Sequence, residues 1–285
     1  MEKIALELIN VAKHYDGFTL DNISFQVPQG SIVGLIGENG AGKSTTIRTI
    51  LGLTSNDSGT IRLLGETNIE AVNKDSIGVV FDGNNYPDML TPKQLGKVFE
   101  HIYKAWDNNI YTGLLDKFQI PINKKIKQFS KGMKMKYSIA VAFSHHCKML
   151  ILDEATSGLD PIMREEILDM FLDFIQDEEN SILVSSHITS DLEKVADYIV
   201  FIHKGKIVFS KPKDELLENY GILKCGASFL EEMDKEDIAA YRKQDYEWQI
   251  LVENRRAAQR KYPNALLIPA TIDEIMLMYV KGATK

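Results

Sequence analysis

The chain has 285 residues, enough for one large domain with an appendage or for two domains with real cores. A net charge of −7 leaves no domain-wide basic excess, so no nucleic-acid partner is expected. Only two cysteines occur, Cys147 and Cys225, far apart and in no C-x-x-C pair; this argues against a disulfide framework or a zinc site and points to a reducing compartment.

Met1-Glu2-Lys3-Ile4 lacks the basic-then-apolar pattern of a secretory signal. The longest apolar runs, such as Ile275 to Val280, fall far short of the ~20 residues of a membrane helix. Residues 4–9 and 20–27 read as strands, the second with Ile23, Phe25 and Val27 alternating up to the turn Pro28-Gln29-Gly30. Between them lies Lys13-His14-Tyr15-Asp16-Gly17. Ser31 to Ile36 is a short apolar run, the pattern of a buried parallel strand. Directly after it stands G-E-N-G-A-G-K-S-T, residues 37–45, and then Ile47, Ile50 and Leu51 at helical spacing, with Gly52 as a stop. Further strands are expected at 60–64 and 77–81.

The character then changes. Thr91-Pro92-Lys93-Gln94 is a capped helix start, followed by Leu95, Val98, Phe99, Ile102 and Trp106 at helical spacing. Two more helices are expected, at about 109–119 and from Ser130 to about His146, so residues 88–147 read as a helical insertion. Strands return at Met149–Asp153, Ser181–Ser186 and Tyr198–Ile202, and a helix opened by Asp160-Pro161 carries Ile167, Leu168, Phe171, Leu172 and Ile175. Lys204-Gly205-Lys206 is a hairpin turn into Ile207-Val208-Phe209. Alternating strands and helices imply a parallel core sheet. Beyond about 214 strands are expected at 222–225, 246–252 and 265–268, with helical segments at 228–241, 253–262 and 272–281. Arg255-Arg256 with Arg260-Lys261 reads as the densest basic cluster and as the solvated face of a helix.

The nine-residue motif binds phosphate for a physical reason. Its glycines, Gly37, Gly40 and Gly42, with Asn39 and Ala41 between them, let the backbone wrap closely and point N–H groups inward. Lys43 adds positive charge, the Ser44 hydroxyl is placed to ligate Mg²⁺, and Thr45 continues into the helix whose positive end faces the anion. Asp153-Glu154, at the end of an apolar strand, supplies the second part: Asp153 beside Mg²⁺, and Glu154 to polarise the water that attacks the γ-phosphate. An acidic pair is a weak signal alone and a strong one beside this loop.

Phe129-Ser130-Lys131-Gly132-Met133, Ser157-Gly158-Leu159-Asp160, His187 at a strand end, and Tyr15 upstream of the loop complete an ordered set that no other phosphate-loop class needs in this order. The set resembles the nucleotide-binding subunits of ATP-binding cassette (ABC) transporters, of the bacterial export type, over residues 1 to about 215. The resemblance implies an α/β P-loop NTPase core with an antiparallel β subdomain and a helical subdomain (about 88–147), followed by a small C-terminal α/β accessory domain at 216–285. Tyr15 would stack on adenine. Lys43, Glu154 and His187 would be catalytic, with Glu154 the general base and His187 at the γ-phosphate. Ser130 and Gly132 would contact the nucleotide of a second subunit, and Asp160 would be the aspartate of the loop between the two sites.

Three positions depart from the family pattern. Lys131 stands in a signature usually written L-S-G-G-Q. Asp82 stands where a glutamine normally contacts Mg²⁺ and links to the membrane subunit, and Ala155 replaces a proline. The reading that follows is an ATPase that uses ATP and Mg²⁺ and dimerises head-to-tail with a like subunit. It would sit on the cytoplasmic face of the membrane and drive a separate transmembrane permease in drug or peptide export. Residues 82–95, with Tyr86, Pro87 and Met89 expected to be exposed, are where that permease would dock. The alternatives are a soluble ABC ATPase acting on ribosomes or DNA and a non-catalytic ATP-binding switch. The first is disfavoured by the single cassette and the lack of coiled coils or zinc motifs, the second by the presence of Lys43, Ser130, Glu154 and His187.

Overall fold

The computed structural model describes residues 3–83, 85–245 and 247–284. The chain opens with β1 (Ile4–Tyr15), β2 (Phe18–Pro28), β3 (Ile32–Ile36), α1 (Lys43–Ile50), β4 (Ser58–Leu63) and β5 (Ile77–Val80). The helical insertion follows as α2 (Pro92–Ile102), α3 (Asn108–Lys117) and α4 (Lys131–Phe143). Then come β6 (Met149–Asp153), α5 (Pro161–Phe174), β7 (Ser181–Ser186), α6 (Thr189–Val195), β8 (Tyr198–His203) and β9 (Lys206–Pro212). The C-terminal part comprises α7 (Lys213–Asn219), β10 (Gly221–Cys225), α8 (Ala227–Glu232), β11 (Ala240–Gln244), β12 (Glu247–Val252), α9 (Arg255–Lys261), β13 (Leu266–Pro269), α10 (Ile272–Lys281) and β14 (Ala283–Thr284).

Three sheets result. The central one has strand order β5-β6-β7-β3-β8-β9, parallel except for β9. Its inner strands β3, β6 and β7 are buried along their whole length because both faces are covered, whereas the edge strand β9 is largely exposed. Along β6, Met149 and Ile151 face α1 and the antiparallel β2-β1-β4 sheet, while Leu150 and Leu152 face the helices. Consecutive side chains on a strand point to opposite faces, so one five-residue run feeds two cores.

β1 runs six residues beyond the expected strand. Asn10 has φ 50° and the pairing with β2 shifts register beside it, so a bulge interrupts the alternation that marks a strand in sequence. The capping box of α2 is present: Thr91 Oγ1 accepts from Gln94 N–H and the Gln94 side chain returns to Thr91 N–H. Two expectations about apolar faces need correction. Leu172 points to solvent, off the buried stripe of α5, and Val98 and Ile102 are exposed on α2. Tyr86, expected at the surface, instead packs edge-on against Phe99 and Tyr137, with ring centroids 5.8 and 4.9 Å away. Burial pushes its phenol pKa up.

The C-terminal sheet is antiparallel, in order β13-β10-β12-β11-β14. Part of the stretch expected to be helical, 240–241, begins β11, whose polar Arg242-Lys243-Gln244 hides the strand signal. The strand expected from residue 246 is described from Glu247, Tyr246 lying outside the described residues. Helix α7 carries the chain across 215–216, and α10 seats the sheet on the cassette. Ile272, Ile275 and Met278 join the same apolar cluster as Leu192 of α6 and Phe201 of β8. Glu193 of α6 accepts from Ile272 N–H at 3.1 Å. Ile275→Ala should therefore lower the stability of the protein by about 2–5 kcal/mol, through lost transfer energy and a residual cavity. Equilibrium urea unfolding checks it.

Candidate functional site

The C-terminal ends of β3, β7 and β6 stand side by side, and each delivers one piece of chemistry to the same edge of the sheet. From β3 comes the loop of residues 37–42. A Cβ on Gly37 would lie 2.4 Å from the Ile202 carbonyl oxygen, and Gly42 has φ 117° with Phe18 and Leu20 packed on it, so neither position takes a side chain. Thr46 N–H makes a helical bond to Gly42 O, which leaves the N–H groups ahead of it to point beyond the helix end. Lys43 is 6% exposed, and its Nζ donates to Gly37 O at 2.8 Å and Glu38 O at 3.3 Å.

From β6 come Asp153 and Glu154. Asp153 is buried and accepts from Ser185 Oγ at 2.6 Å. Glu154 has φ 55°, a left-handed conformation that a non-glycine residue adopts at a cost of about 1–3 kcal/mol. It is held there because its N–H donates to both the carbonyl and the hydroxyl oxygens of Ser185, each at 3.1 Å. The turn aims its carboxylate at Lys43: Oε1 lies 3.3 Å from Lys43 Nζ, and Oε2 accepts from His187 Nδ1 at the end of β7. Glu154 is thus clamped between a cation and a histidine.

A cavity of about 610 Å³ opens over these groups, lined by Asn39, Gly40, Lys43 to Thr45, Asp82, Glu154 and His187, with Phe18 and Ser157 at its sides. Most of the expected residues are therefore brought together. Four are not. Tyr15 is 45% exposed at the β1–β2 hairpin and does not line the cavity, where Phe18 stands instead. Ser130 and Gly132 lie at the start of α4, where Ser130 Oγ accepts from Met133 N–H at 3.2 Å. Asp160 caps α5, accepting from Met163 N–H at 3.0 Å, and that bond holds its carboxyl below the usual range. Ala41 is buried behind the loop.

The donor set fits a nucleoside triphosphate with a small hard cation. Ser44 and Asp82 offer hydroxyl and carboxylate oxygens in the cavity, and Asp153 stands buried behind it. Among the described residues no group of three His, Cys, Asp or Glu stands ready to hold a metal alone. Mg²⁺ is characteristically bound through phosphates, waters and one or two protein oxygens, which Ser44 and Asp82 could supply.

Sequence reasoning missed Ser185. Its signal was there, a pair of serines ending the apolar run Ile182–Val184. It also passed over a second basic stretch: residues 124–136 hold six lysines (Lys124, Lys125, Lys127, Lys131, Lys134 and Lys136) and no acid, a longer though less dense run than the arginine-rich helix at 255–261.

A P-loop, an acidic strand end and a histidine strand end on neighbouring parallel strands define a P-loop nucleoside triphosphatase of the cassette type. Residues 20–157 match the family model described as ABC transporter. The chain is 32% identical over 217 residues to the ABC transporter ATP-binding protein YtrB of Bacillus subtilis (strain 168), covering 75% of this chain and 74% of that one. It is 36% identical over 219 residues to the lantibiotic transport ATP-binding protein SrtF of Streptococcus pyogenes, covering 73% and 91%. A solved structure of an ATP-binding subunit of an ABC transporter superposes with a TM-score of 0.67 at 27% identity, over 75% of this chain and 92% of that one. The chain belongs to the ATP-binding subunits of ABC transporters and is an ATPase.

Ser185→Ala should cost about 1–3 kcal/mol, because it takes the donor from the buried Asp153 carboxylate and an acceptor from Glu154 N–H. Urea unfolding of the purified variant measures the loss.

Proposed function

We propose that the chain is the motor of a membrane exporter, hydrolysing Mg²⁺·ATP between two subunits arranged head-to-tail. The clamped Glu154 carries this reading. With nucleotide present, Lys43 turns from the loop carbonyls to the phosphates, and Glu154 accepts a proton from the water that attacks the γ-phosphate. His187 orients Glu154 and meets the γ-phosphate with its ring. Ser44 and Asp82, with Asp153 behind them, would hold Mg²⁺, which would neutralise charge on the phosphates.

The charge pattern supports the head-to-tail pairing. The cavity is lined by Glu38, Asp82 and Glu154, whereas the segment carrying Ser130 is the lysine-rich 124–136. A triphosphate between two copies would be met by Lys43 from one side and by the Ser130 segment, with its lysines, from the other. Residues 1–215 form the ATP-binding domain in this reading, and 216–285 an accessory domain. Tyr15 remains assigned to the adenine, with Phe18 as a second wall.

No helix among the described residues is long and apolar enough to cross a membrane, and we assign the membrane-spanning part of the transporter to a separate partner, as the likeness to transport ATP-binding proteins favours. An apolar groove of about 500 Å³ between the cassette core and α2 is the surface we assign to that partner. It runs from Leu51 and Leu53 past Phe81 to Ile102 and Tyr103, with Leu53 64% and Ile102 58% exposed. It adjoins residues 82–95, of which Pro87 and Met89 are exposed. Export of a peptide-like compound is favoured by the likeness to a lantibiotic transport protein, and the cytoplasmic face of the membrane follows as the location.

Two experiments test the reading. Glu154→Gln should lower ATP hydrolysis by about 10²–10⁴-fold and accumulate an ATP-bound dimer in gel filtration. Negligible hydrolysis by the wild type, even with its membrane partner, would refute a catalytic role. Ile102→Glu should abolish co-purification of a multi-spanning protein from detergent-solubilised membranes while leaving ATP binding intact; retained co-purification would remove the groove from the interface.

A further inference from the structure

The two positions that depart most from the family pattern touch each other. Lys131 Nζ lies 2.9 Å from Asp82 Oδ1, across the gap between the start of α4 and the segment after β5. Both side chains are about half exposed, at 55% and 44%, so the pair adds little to the stability of the fold. Its position is what matters. Asp82 lines the cavity that holds Lys43, Ser44 and Glu154, whereas Lys131 stands in the first turn of the helix capped by Ser130. Gly158, in the loop between Glu154 and Asp160, packs beside the lysine stem: a Cβ built there would meet Lys131 Cδ at 3.6 Å. One flexible cation thus ties the helical subdomain to the carboxylate at the edge of the nucleotide cavity.

We infer that Lys131 is a positioning residue that acts through Asp82. Its ammonium occupies the carboxylate that a divalent cation arriving with nucleotide needs, so that Mg²⁺ must displace it, and the displacement frees the first turn of α4 from the core. A carboxylate oxygen cannot give its charge fully to an ammonium and a metal at once, so the two cations compete. The glutamine usual at position 82 carries no charge for a lysine to pair with, and the lysine would have no carboxylate to hold. The two departures therefore make sense together. This inference rests on the assignment of the cavity to Mg²⁺·ATP.

The test is a Mg²⁺ titration of trinitrophenyl-ATP fluorescence, run at a protein concentration where gel filtration shows a monomer. It compares wild type, Lys131→Met, Asp82→Asn, the double variant and Lys131→Arg. Lys131→Met should lower the Mg²⁺ concentration for half-saturation by about 2–5-fold, the scale of an exposed ion pair. Asp82→Asn should raise it, and in that background Lys131→Met should shift nothing, since the partner it acts through is gone. Lys131→Arg should stay near wild type. An equal shift from Lys131→Met in both backgrounds, no shift, or a rise would overturn the inference. If the wild type fails to bind the analogue with or without Mg²⁺, the assignment of the cavity itself has failed, and the two outcomes are distinct.

Discussion

A full positive charge at 6% exposure is the constraint on which the site depends. Lys43 cannot be left without partners there, because an unpaired buried cation costs several kcal/mol. The loop that positions it also supplies two of its acceptors, the carbonyls of Gly37 and Glu38. Glu154 supplies the third, as a counter-charge. Each of these partners is one that the phosphates of a nucleotide can replace. The lysine is therefore stabilised in the protein by groups that yield to its ligand, which is how a buried cation stays both stable and available.

The same constraint explains why strain is tolerated at Glu154. In the left-handed turn that ends β6, the Glu154 carboxylate lies 3.3 Å from Lys43 Nζ. Ser185 supports the turn, since its carbonyl keeps the Glu154 amide in the β6–β7 ladder and its hydroxyl gives that amide a second acceptor, while its proton serves Asp153. One small residue on β7 thus fixes both acids of β6. This works only because β6 and β7 are neighbours in a parallel sheet, so their last residues end at one level.

How far these features can be read in sequence follows from how local their causes are. The phosphate loop, Asp153-Glu154, the α2 capping box and the runs that become β3, β6 and β7 are each set within about ten residues, and chain order shows them. The β1 bulge at Asn10 breaks a period of two and so erases its own signal. Polar β11 reads as part of a helical stretch because its neighbours β12 and β14, and not its own composition, make it a strand. Tyr86 looks like a loop residue beside Pro87, yet its ring belongs to the aromatic core of the helical insertion, formed with Phe99 and Tyr137 from two other elements. Phe18 lies in the cavity and Tyr15 outside it through the shape of a hairpin, which a distance of three residues in sequence does not resolve.

The C-terminal unit touches this machinery at one informative place. Helix α6 begins two residues after His187, and its far side is where α10 rests, through Leu192 in the shared apolar cluster and the Glu193 bond to Ile272 N–H. The inner side of α6 presses on β3 so closely that a Cβ on Gly34 would lie 2.7 Å from Leu192 Cδ1. Leu192 thus packs on the loop-bearing strand, while its neighbour Glu193 holds the start of α10. A helix of seven residues has little intrinsic stability of its own and takes its position from what packs on it. The segment after His187 is accordingly packed from two directions, by the sheet that carries the phosphate loop and by α10, none of whose residues lines the cavity.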